Sequence, residues 1–370
     1  MAFTYECPPN TQKMLMLVSS LSPLRSPIST LPFVRIRAET GEFMVFESMS
    51  GVTETGCRVM ADYDGSGEIA VPAEVLNDLL SSLPRDTSVV LSQRDTRLRI
   101  EWPDGECEIG GISTKTLPPL SPVEKGNVWS VDRAEEWQQA INDVLFVASA
   151  NLGNLRVLLM QRRGDNLEMI ATDGFRMAIK MQKVYINDPA IDGIVIPYNA
   201  ALEWAKICGR LSDLPARIAV SRRVTLFVGD GKQVEVASLT ELSHSNIPPY
   251  EPMIPSKPQA IIEIPSDILA NACRVARAIT QQAMIALSVE HGGVNIKSQG
   301  GEGEYEDFLP ASVQGKGMEI RFDAGLLAEG LEKIGGKAII WMRDSTSPCL
   351  IQSEGGDFRY LLMPMVARGS

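Results

Sequence analysis

The chain has 370 residues, of which 44% are hydrophobic and 22% charged, and its formal net charge is −11. Length and composition are those of a soluble globular protein with two or three domains. No apolar run reaches the roughly eighteen residues of a membrane-spanning helix. The N-terminus also lacks the basic region followed by an apolar region that marks a secretory signal, so we expect a cytoplasmic protein without membrane contact. The acidic balance argues against binding nucleic acid by tight phosphate neutralisation.

Six cysteines are scattered singly, without a C-x-x-C pair. This spacing is not that of a zinc site or a disulfide framework, so we expect reduced core cysteines. The two histidines, His244 and His291, have no nucleophile signature beside them. The sequence therefore predicts no metal, no cofactor and no catalytic residue.

Taken in order, the chain repeats one plan three times. A first helix is predicted over residues 10–21, 132–149 and 266–279, each after a short strand at 2–6, 128–131 and 261–264. A second helix is predicted over 73–83, 199–211 and 324–334, after strands that end at residues 71–72, 196–197 and 322–323. The equal spacing of these strand ends indicates a repeated module.

Strand pairs fill the space between these helices, and two or three further strands follow each second helix. The pairs are predicted at residues 32–38 with 42–47, 155–161 with 167–170, and 285–290 with 293–298. Each module is therefore an α+β unit of two helices on antiparallel strands. Proline-rich breaks at 117–122 and 247–258 place the predicted domains at 1–125, 126–256 and 257–370.

Two short segments stand out from this pattern. In residues 171–178, Thr172-Asp173-Gly174 predicts a tight corner between strands, since glycine takes positive φ and aspartate bonds its own backbone. Near the C-terminus, Met363 and Met365 bracket a proline. Methionine is flexible and polarizable, so a groove lined by it can repack around several ligands.

Together these segments resemble the bacterial DNA polymerase III beta subunit family, the sliding clamps. That family carries an Ala-Thr-Asp-Gly segment in mid-chain and Met-Pro-Met at its end. The resemblance covers the whole chain and implies three clamp domains in each copy, with two copies closed head to tail into a ring around duplex DNA. It implies a non-enzymatic processivity factor whose partners are the replicative polymerase, the clamp loader and other proteins with a clamp-binding motif.

The resemblance also implies a peptide-binding groove between the second and third domains. Phe175, Met177 and Pro252 depart from the residues common in the family, which puts the motif preference in question. The matching groove positions are Leu155, Thr172, Gly174, Phe175, Arg176, Met177, Pro248, Met253, Leu361, Met363, Pro364 and Met365. Arg176 is expected to offer its guanidinium to a bound peptide.

Helical spacing predicts which basic residues face outward. In the helix at 266–279, Ile268, Leu269, Ala272, Ala276 and Ile279 are expected to be buried. The residues predicted to face DNA, by weak phosphate contacts that permit sliding, are Lys13, Arg25, Arg133, Lys206, Arg210, Arg274, Arg277 and Lys333.

An alternative of another class stays open. The chain could be a clamp-shaped protein that binds partner peptides without being loaded on DNA, because its basic lining is weak and its groove residues are altered.

Overall fold

The computed structural model describes residues 2–23, 32–39, 42–84, 86–123, 126–149, 155–243, 249–281 and 283–365. The chain divides into two compact units. Unit 1 contains Met1–Gln139 and Val184–Ser243, and unit 2 contains Ala140–Lys183 and His244–Ser370. These units do not follow the domain boundaries expected near 125 and 256, because strands of successive modules share a sheet. The three-domain division stays a prediction.

All six predicted helices are present. Proline precedes or opens four of them, where a missing N–H costs no hydrogen bond, and Asp323 caps the last by accepting from the backbone N–H of Gly325 and Leu326 at 2.8 and 3.0 Å. The helices are α1 (Pro9–Ser20), α2 (Ala73–Ser82), α3 (Ala134–Leu145), α4 (Tyr198–Arg210), α5 (Ser266–Thr280) and α6 (Ala324–Ile334). The fold is α+β, as predicted.

The predicted buried face of α5 is correct at Leu269, Ala272 and Ala276 and wrong at two other residues. On α5, Ile268 and Ile279 are 45% and 41% exposed instead of buried. The buried stripe runs through Leu269, Cys273 and Ala276 and ends at Thr280. Small residues on this stripe let α5 pack closely. Ile268 and Ile279 each lie one position before a residue of the stripe, so their side chains point about 100° away from it around the helix.

Unit 1 contains two antiparallel sheets. The first has the order β5-β1-β7-β8-β9, and the second has the order β14-β10-β16-β17-β18-β4-β3-β2-β6. The strands of the first are β1 (Phe3–Cys7), β5 (Tyr63–Gly65), β7 (Val89–Arg94), β8 (Arg97–Trp102) and β9 (Gly105–Gly110). Those of the second are β2 (Phe33–Glu39), β3 (Phe43–Met49), β4 (Thr53–Met60), β6 (Gly67–Pro72), β10 (Trp129–Val131), β14 (Tyr185–Ile186), β16 (Ala216–Val220), β17 (Arg223–Gly229) and β18 (Val234–Glu241). A further strand of unit 1, β15 (Gly193–Pro197), leads into α4.

Unit 2 also contains two antiparallel sheets. One includes the order β11-β12-β13-β27-β26-β25-β19-β23, and the other has the order β22-β21-β20-β24. The strands of the first are β11 (Val157–Arg163), β12 (Asn166–Thr172), β13 (Arg176–Lys183), β19 (Ala260–Pro265), β23 (Ser312–Gly315), β25 (Lys337–Met342), β26 (Cys349–Ser353) and β27 (Phe358–Leu362). Those of the second are β20 (Met284–Glu290), β21 (Gly293–Gln299), β22 (Glu304–Pro310) and β24 (Glu319–Asp323).

The strands that join successive modules were not all predicted. In each case the third strand after a module's first helix, called its third strand below, pairs with the last strand of the next module, β4 with β18 and β13 with β27. The last strands β18 and β27 were expected from the sequence, but of the third strands only β13 was. The other third strands were missed because β4 carries few large apolar residues and those of β22 do not alternate regularly.

Five of the six cysteines are buried and Cys107 is half-buried, and none forms a disulfide. Burial raises the pKa of Cys57 and of Cys208 to about 12. In the described residues, no three His, Cys, Asp or Glu side chains are grouped as metal ligands would be. None of the helices described above is long and apolar enough to cross a membrane.

Candidate functional site

The corner at Thr172-Asp173-Gly174 is held by its own side chains. Thr172 Oγ1 donates to the carbonyl of Arg176 at 2.7 Å and accepts from the N–H of Gly174 at 3.1 Å. Asp173 Oδ1 accepts from the N–H groups of Phe175 and Arg176 at 2.9 and 3.0 Å. Gly174 adopts φ +91°, which residues with a Cβ rarely adopt. The corner therefore has one well-defined conformation.

Arg176 contributes to the lining of the groove, but its guanidinium is bonded beneath the corner to Asp173 and Glu329 instead of being free for a peptide. It is 7% exposed, with Nε 3.0 Å from Asp173 Oδ2 and Nη1 2.6 Å from Glu329 Oε2. Burial opposes the charge, but the hydrogen bond to Glu329 and the proximity of Tyr360 outweigh it and raise the pKa of Arg176. Its donors are used to fix the corner to α6.

The groove forms where β13 pairs with β27. Met177 lies opposite Leu361, and the N–H of Met363 donates to the carbonyl of Phe175 at 2.9 Å, which extends the pairing past the end of β27. Met177 and Leu361 form the buried floor, whereas Phe175 is 61% and Met363 is 36% exposed. A shallow cavity of about 30 Å³ is lined by Thr172, Gly174, Phe175, Arg176, Met177, Met253, Pro348, Leu361 and Met363.

Most of the predicted groove residues thus come together within unit 2. Leu155 lies beside the corner, since a Cβ on Gly174 would lie 3.6 Å from Leu155 Cδ1. Pro364 and Met365 lie outside the lining of the cavity, and the N–H of Met365 donates to the carbonyl of Arg321 at 2.7 Å. Pro248 is outside the described residues. Pro348 lines the cavity but was not predicted, because only the pairing of β26 with β27 brings it there.

A buried carboxylate anchors the segment that carries Met253. Glu168 is 3% exposed, accepts hydrogen bonds from Arg359 and the Tyr250 hydroxyl, and lies 2.9 Å from Arg163 Nε. Burial, followed by the hydrogen bond to Glu168, raises the pKa of Tyr250 to about 12. The ring of Tyr250 packs with Met177 and Leu361, and Met253 packs against the same cluster. This network holds one wall of the groove in place.

Unit 1 contains a structural counterpart of this groove. Gly51 adopts φ +89°, close to that of Gly174, and Thr53 bonds Glu203, the sixth residue of α4, as Arg176 bonds Glu329, the sixth residue of α6. A cavity of about 210 Å³ lies at the counterpart position. Its lining is Met49, Gly51, Val52, Thr53, Glu54, Arg223, Leu239, Thr240 and Glu241.

The chemistry of the counterpart differs from that of the groove. The strand registers place Glu54, Arg223 and Glu241 where the groove has Met177, Pro348 and Met363. Arg223 lies 3.3 Å from Glu54 Oε1 and 2.7 Å from Glu241 Oε1. Charged groups that already satisfy one another cost desolvation energy when an apolar side chain covers them. Only the copy in unit 2 therefore suits an apolar peptide.

Replacing Gly174 with alanine is expected to destabilise the protein by about 1 to 2 kcal/mol, because alanine adopts φ near +90° only with strain. Gly51→Ala, at the same conformation in unit 1, should cost a similar amount. Gly56→Ala is the control, since its Cβ would make an ordinary 3.5 Å contact with Leu120 and its φ is not positive. Urea unfolding measures all three, and equal stability of Gly174→Ala and Gly56→Ala would contradict the strain argument.

The residues predicted to face DNA lie on exposed parts of helices or beside them, with Arg25 outside the described residues. Lys13, Lys206, Arg210 and Arg277 are exposed on α1, α4 and α5. The other three are engaged in ion pairs: Arg133 with Glu135 and Asp213 at 2.8 and 2.7 Å, Arg274 with Glu332, and Lys333 with Asp143 at 3.8 Å. Exposure is compatible with phosphate contact, and these ion pairs reduce the free positive charge.

Comparisons with known proteins agree with this geometry. The profile of the C-terminal domain of the DNA polymerase III beta subunit matches residues 251–366. The beta sliding clamp of Synechococcus elongatus is 26% identical over 369 residues, which cover 96% of each chain. The crystal structure of the beta subunit of DNA polymerase III from Pseudomonas aeruginosa superposes with a TM-score of 0.89 at 22% identity, covering 99% of this chain and 100% of that one.

A second Pseudomonas aeruginosa structure, a sliding clamp bound to griselimycin, matches with a TM-score of 0.89 at 20% identity over 99% of this chain and 100% of that one. At such identities the solved structures establish the fold, and the match of the C-terminal profile and the full-length relatives add similarity in sequence. The corner at 172–174, the strand that ends before Met363 and the module repeat are the features that the sequence shared with one family. Residues 251–366 match the DNA polymerase III beta subunit family, and along nearly its whole length the chain is similar to beta sliding clamps.

Proposed function

We propose that this chain is a DNA sliding clamp, a processivity factor without catalytic activity of its own. Two copies would close head to tail around duplex DNA, and an ATP-driven clamp loader would open the ring. The replicative polymerase and other proteins with a clamp-binding motif would dock in the groove of unit 2. Its place of action would be the cytoplasm.

The observation that carries this proposal is the groove. It combines a rigid corner at Thr172-Asp173-Gly174, a buried apolar floor and exposed side chains at its mouth, Phe175 and Met363. An apolar peptide side chain can cover the floor while its backbone approaches Gly174, where no Cβ obstructs it. Enclosure of DNA supplies the retention that an acidic chain of net charge −11 cannot obtain from phosphate contacts.

Retention on circular DNA tests the proposed function. A clamp loaded by its loader on nicked circular plasmid should elute with the plasmid and should be lost when a restriction enzyme linearises it, because a ring slides off an end. Loss from both forms at the same rate would contradict encirclement.

Deleting residues 363–365 is expected to abolish binding of a fluorescein-labelled peptide from the C-terminus of a replicative polymerase. The deletion removes the exposed Met363 and both backbone hydrogen bonds that fix this segment, to Phe175 and to Arg321. Fluorescence anisotropy measures the affinity, and sedimentation checks that the oligomeric state is unchanged. Retained affinity would show that the peptide binds elsewhere.

One observation favours the alternative, a clamp-like interaction protein that is not loaded on DNA. Arg133, Arg274 and Lys333 are already engaged by carboxylates, so the helices offer less free positive charge than their lysine and arginine content suggests. Peptide binding without retention on circular DNA would identify this function.

A further inference from the structure

The two junctions inside the chain follow one rule. The third strand of a module pairs with the last strand of the next, as β4 does with β18 and β13 with β27. Two strands are left without such a partner: β22, the third strand of the last module, and β9, the last strand of the first module. Each lies at the end of its sheet in the described chain. The rule therefore leaves two complementary edges for a second copy.

The internal junctions also fix the register. Glu304 pairs with Gln299 across its hairpin as Glu54 pairs with Met49 and Met177 with Thr172, so these three third-strand positions correspond. For the last strands, Tyr5 and Ile262 each lie four residues before the first helix of their module, and the strand pairs lead from Tyr5 through Leu91 and Ile100 to Cys107, and from Ile262 through Ile340 and Ile351 to Tyr360. Cys107 and Tyr360 therefore correspond. The junctions pair Thr55 with Ser238 and Ala178 with Tyr360. The equivalent pair between two copies is Tyr305 with Cys107.

We infer that β22 of one copy pairs with β9 of another in this register, and that the contact places carboxylates opposite each other, Glu304 against Glu108 and Glu306 against Glu106. This inference rests on the proposed function, because the contact is the one that would close the ring. Closure is consequently opposed by like charges and promoted by salt. An interface held by opposite charges would show the reverse dependence.

At the two internal junctions, no like charges lie directly opposite each other. At the residues that correspond to Glu304 and Glu108, they pair Glu54 with Leu239 and Met177 with Leu361. Further along β4, Arg58 lies opposite Glu235, an opposite-charge pair. Like charges directly opposite on adjacent strands are destabilising.

The basic side chains beside the proposed contact already form ion pairs within each copy. Arg97 lies 3.2 Å from Glu108, Arg99 bonds Glu106, and Lys297 lies 2.8 Å from Glu306. Glu304 has an amide partner, Gln299 Nε2, at 2.5 Å. The carboxylates are solvent-exposed, so dissolved salt can screen their repulsion within its Debye length of about 10 Å at 0.1 M.

The salt dependence of self-association tests the charge argument. Analytical ultracentrifugation of the full chain should give a dissociation constant that falls at least about fivefold between low salt and about 0.5 M NaCl, as screening lengths shorten. The double variant Glu304→Gln, Glu306→Gln should associate more tightly than the wild type at low salt and should lose most of this dependence. Tighter wild-type association at low salt, or an unchanged double variant, would overturn the inference.

Cross-linking tests the register. Residues directly opposite on antiparallel strands have Cα atoms about 4.5 to 5.5 Å apart, within reach of a disulfide. Tyr305→Cys should therefore form an intermolecular disulfide with the native Cys107, and adding Cys107→Ser should abolish it. Because Tyr305 is partly buried, the exposed pair Glu306→Cys with Glu106→Cys provides a second test. Absence of covalent dimers from both variants would overturn the register.

Different results would contradict the clamp function and the charge argument. A chain that dimerises and remains on circular DNA, but shows no salt-promoted association, refutes the charge argument and leaves the clamp function intact. A chain that stays monomeric at every salt concentration refutes both. In that case the acidic edge strands would serve the common purpose of preventing edge pairing.

Discussion

Glu168→Ala is expected to lower the free energy of unfolding by about 3 kcal/mol, the largest loss among the substitutions proposed for this chain. The carboxylate is 3% exposed and receives hydrogen bonds from Arg163, Arg359 and Tyr250. Its removal leaves two guanidinium groups without their shared partner, and the partial exposure of both arginines keeps the loss below that of a fully buried network.

The same substitution should weaken polymerase-peptide binding, because Tyr250 and Met253 lose the anchor that holds them against Met177 and Leu361. Glu168→Gln keeps an acceptor for Tyr250 without the charge, so it should fall between the wild type and Glu168→Ala in both measurements. Urea unfolding gives the stability and fluorescence anisotropy the affinity.

Glu290→Ala is the control, since this exposed residue ends β20 and should change stability by no more than about 0.5 kcal/mol. A Glu168→Ala protein as stable as this control would show that the network contributes little.

Met363→Glu is expected to reduce the affinity for the polymerase peptide about tenfold or more while leaving stability nearly unchanged. Met363 is 36% exposed in the free groove, so a charge there remains hydrated until a peptide covers it. The substitution copies the counterpart in unit 1, where Glu241 occupies the corresponding position.

The matched control is Glu241→Met, which makes the reciprocal change at a side chain that is 68% exposed. It should leave peptide affinity unaltered, because Glu54 and Arg223 still make that cavity polar. If Met363→Glu and Glu241→Met lowered the affinity equally, the peptide would not discriminate between the two sites and the assignment to unit 2 would fail.

Several features of the site were predictable from local sequence. Thr172-Asp173-Gly174 contains what its corner needs: a hydroxyl, a carboxylate and a residue free to take φ +91°. The role of Arg176 was not predictable, because its partner Glu329 lies 153 positions away. Pro348 and the Glu168 network were missed for the same reason, since each depends on strands far apart in sequence coming together.

The sequence by itself determined the helices, the strands with strong apolar alternation, the threefold repeat and the resemblance to the clamp family, because these follow from local periodicity and short motifs. Tertiary structure decided which strands join successive modules, since β4 carries few large apolar residues and pairs with β18 from a distant part of the chain. It also decided that one of two similar corners has an apolar groove. That distinction depends on side chains contributed by a second strand, whose register no local pattern specifies.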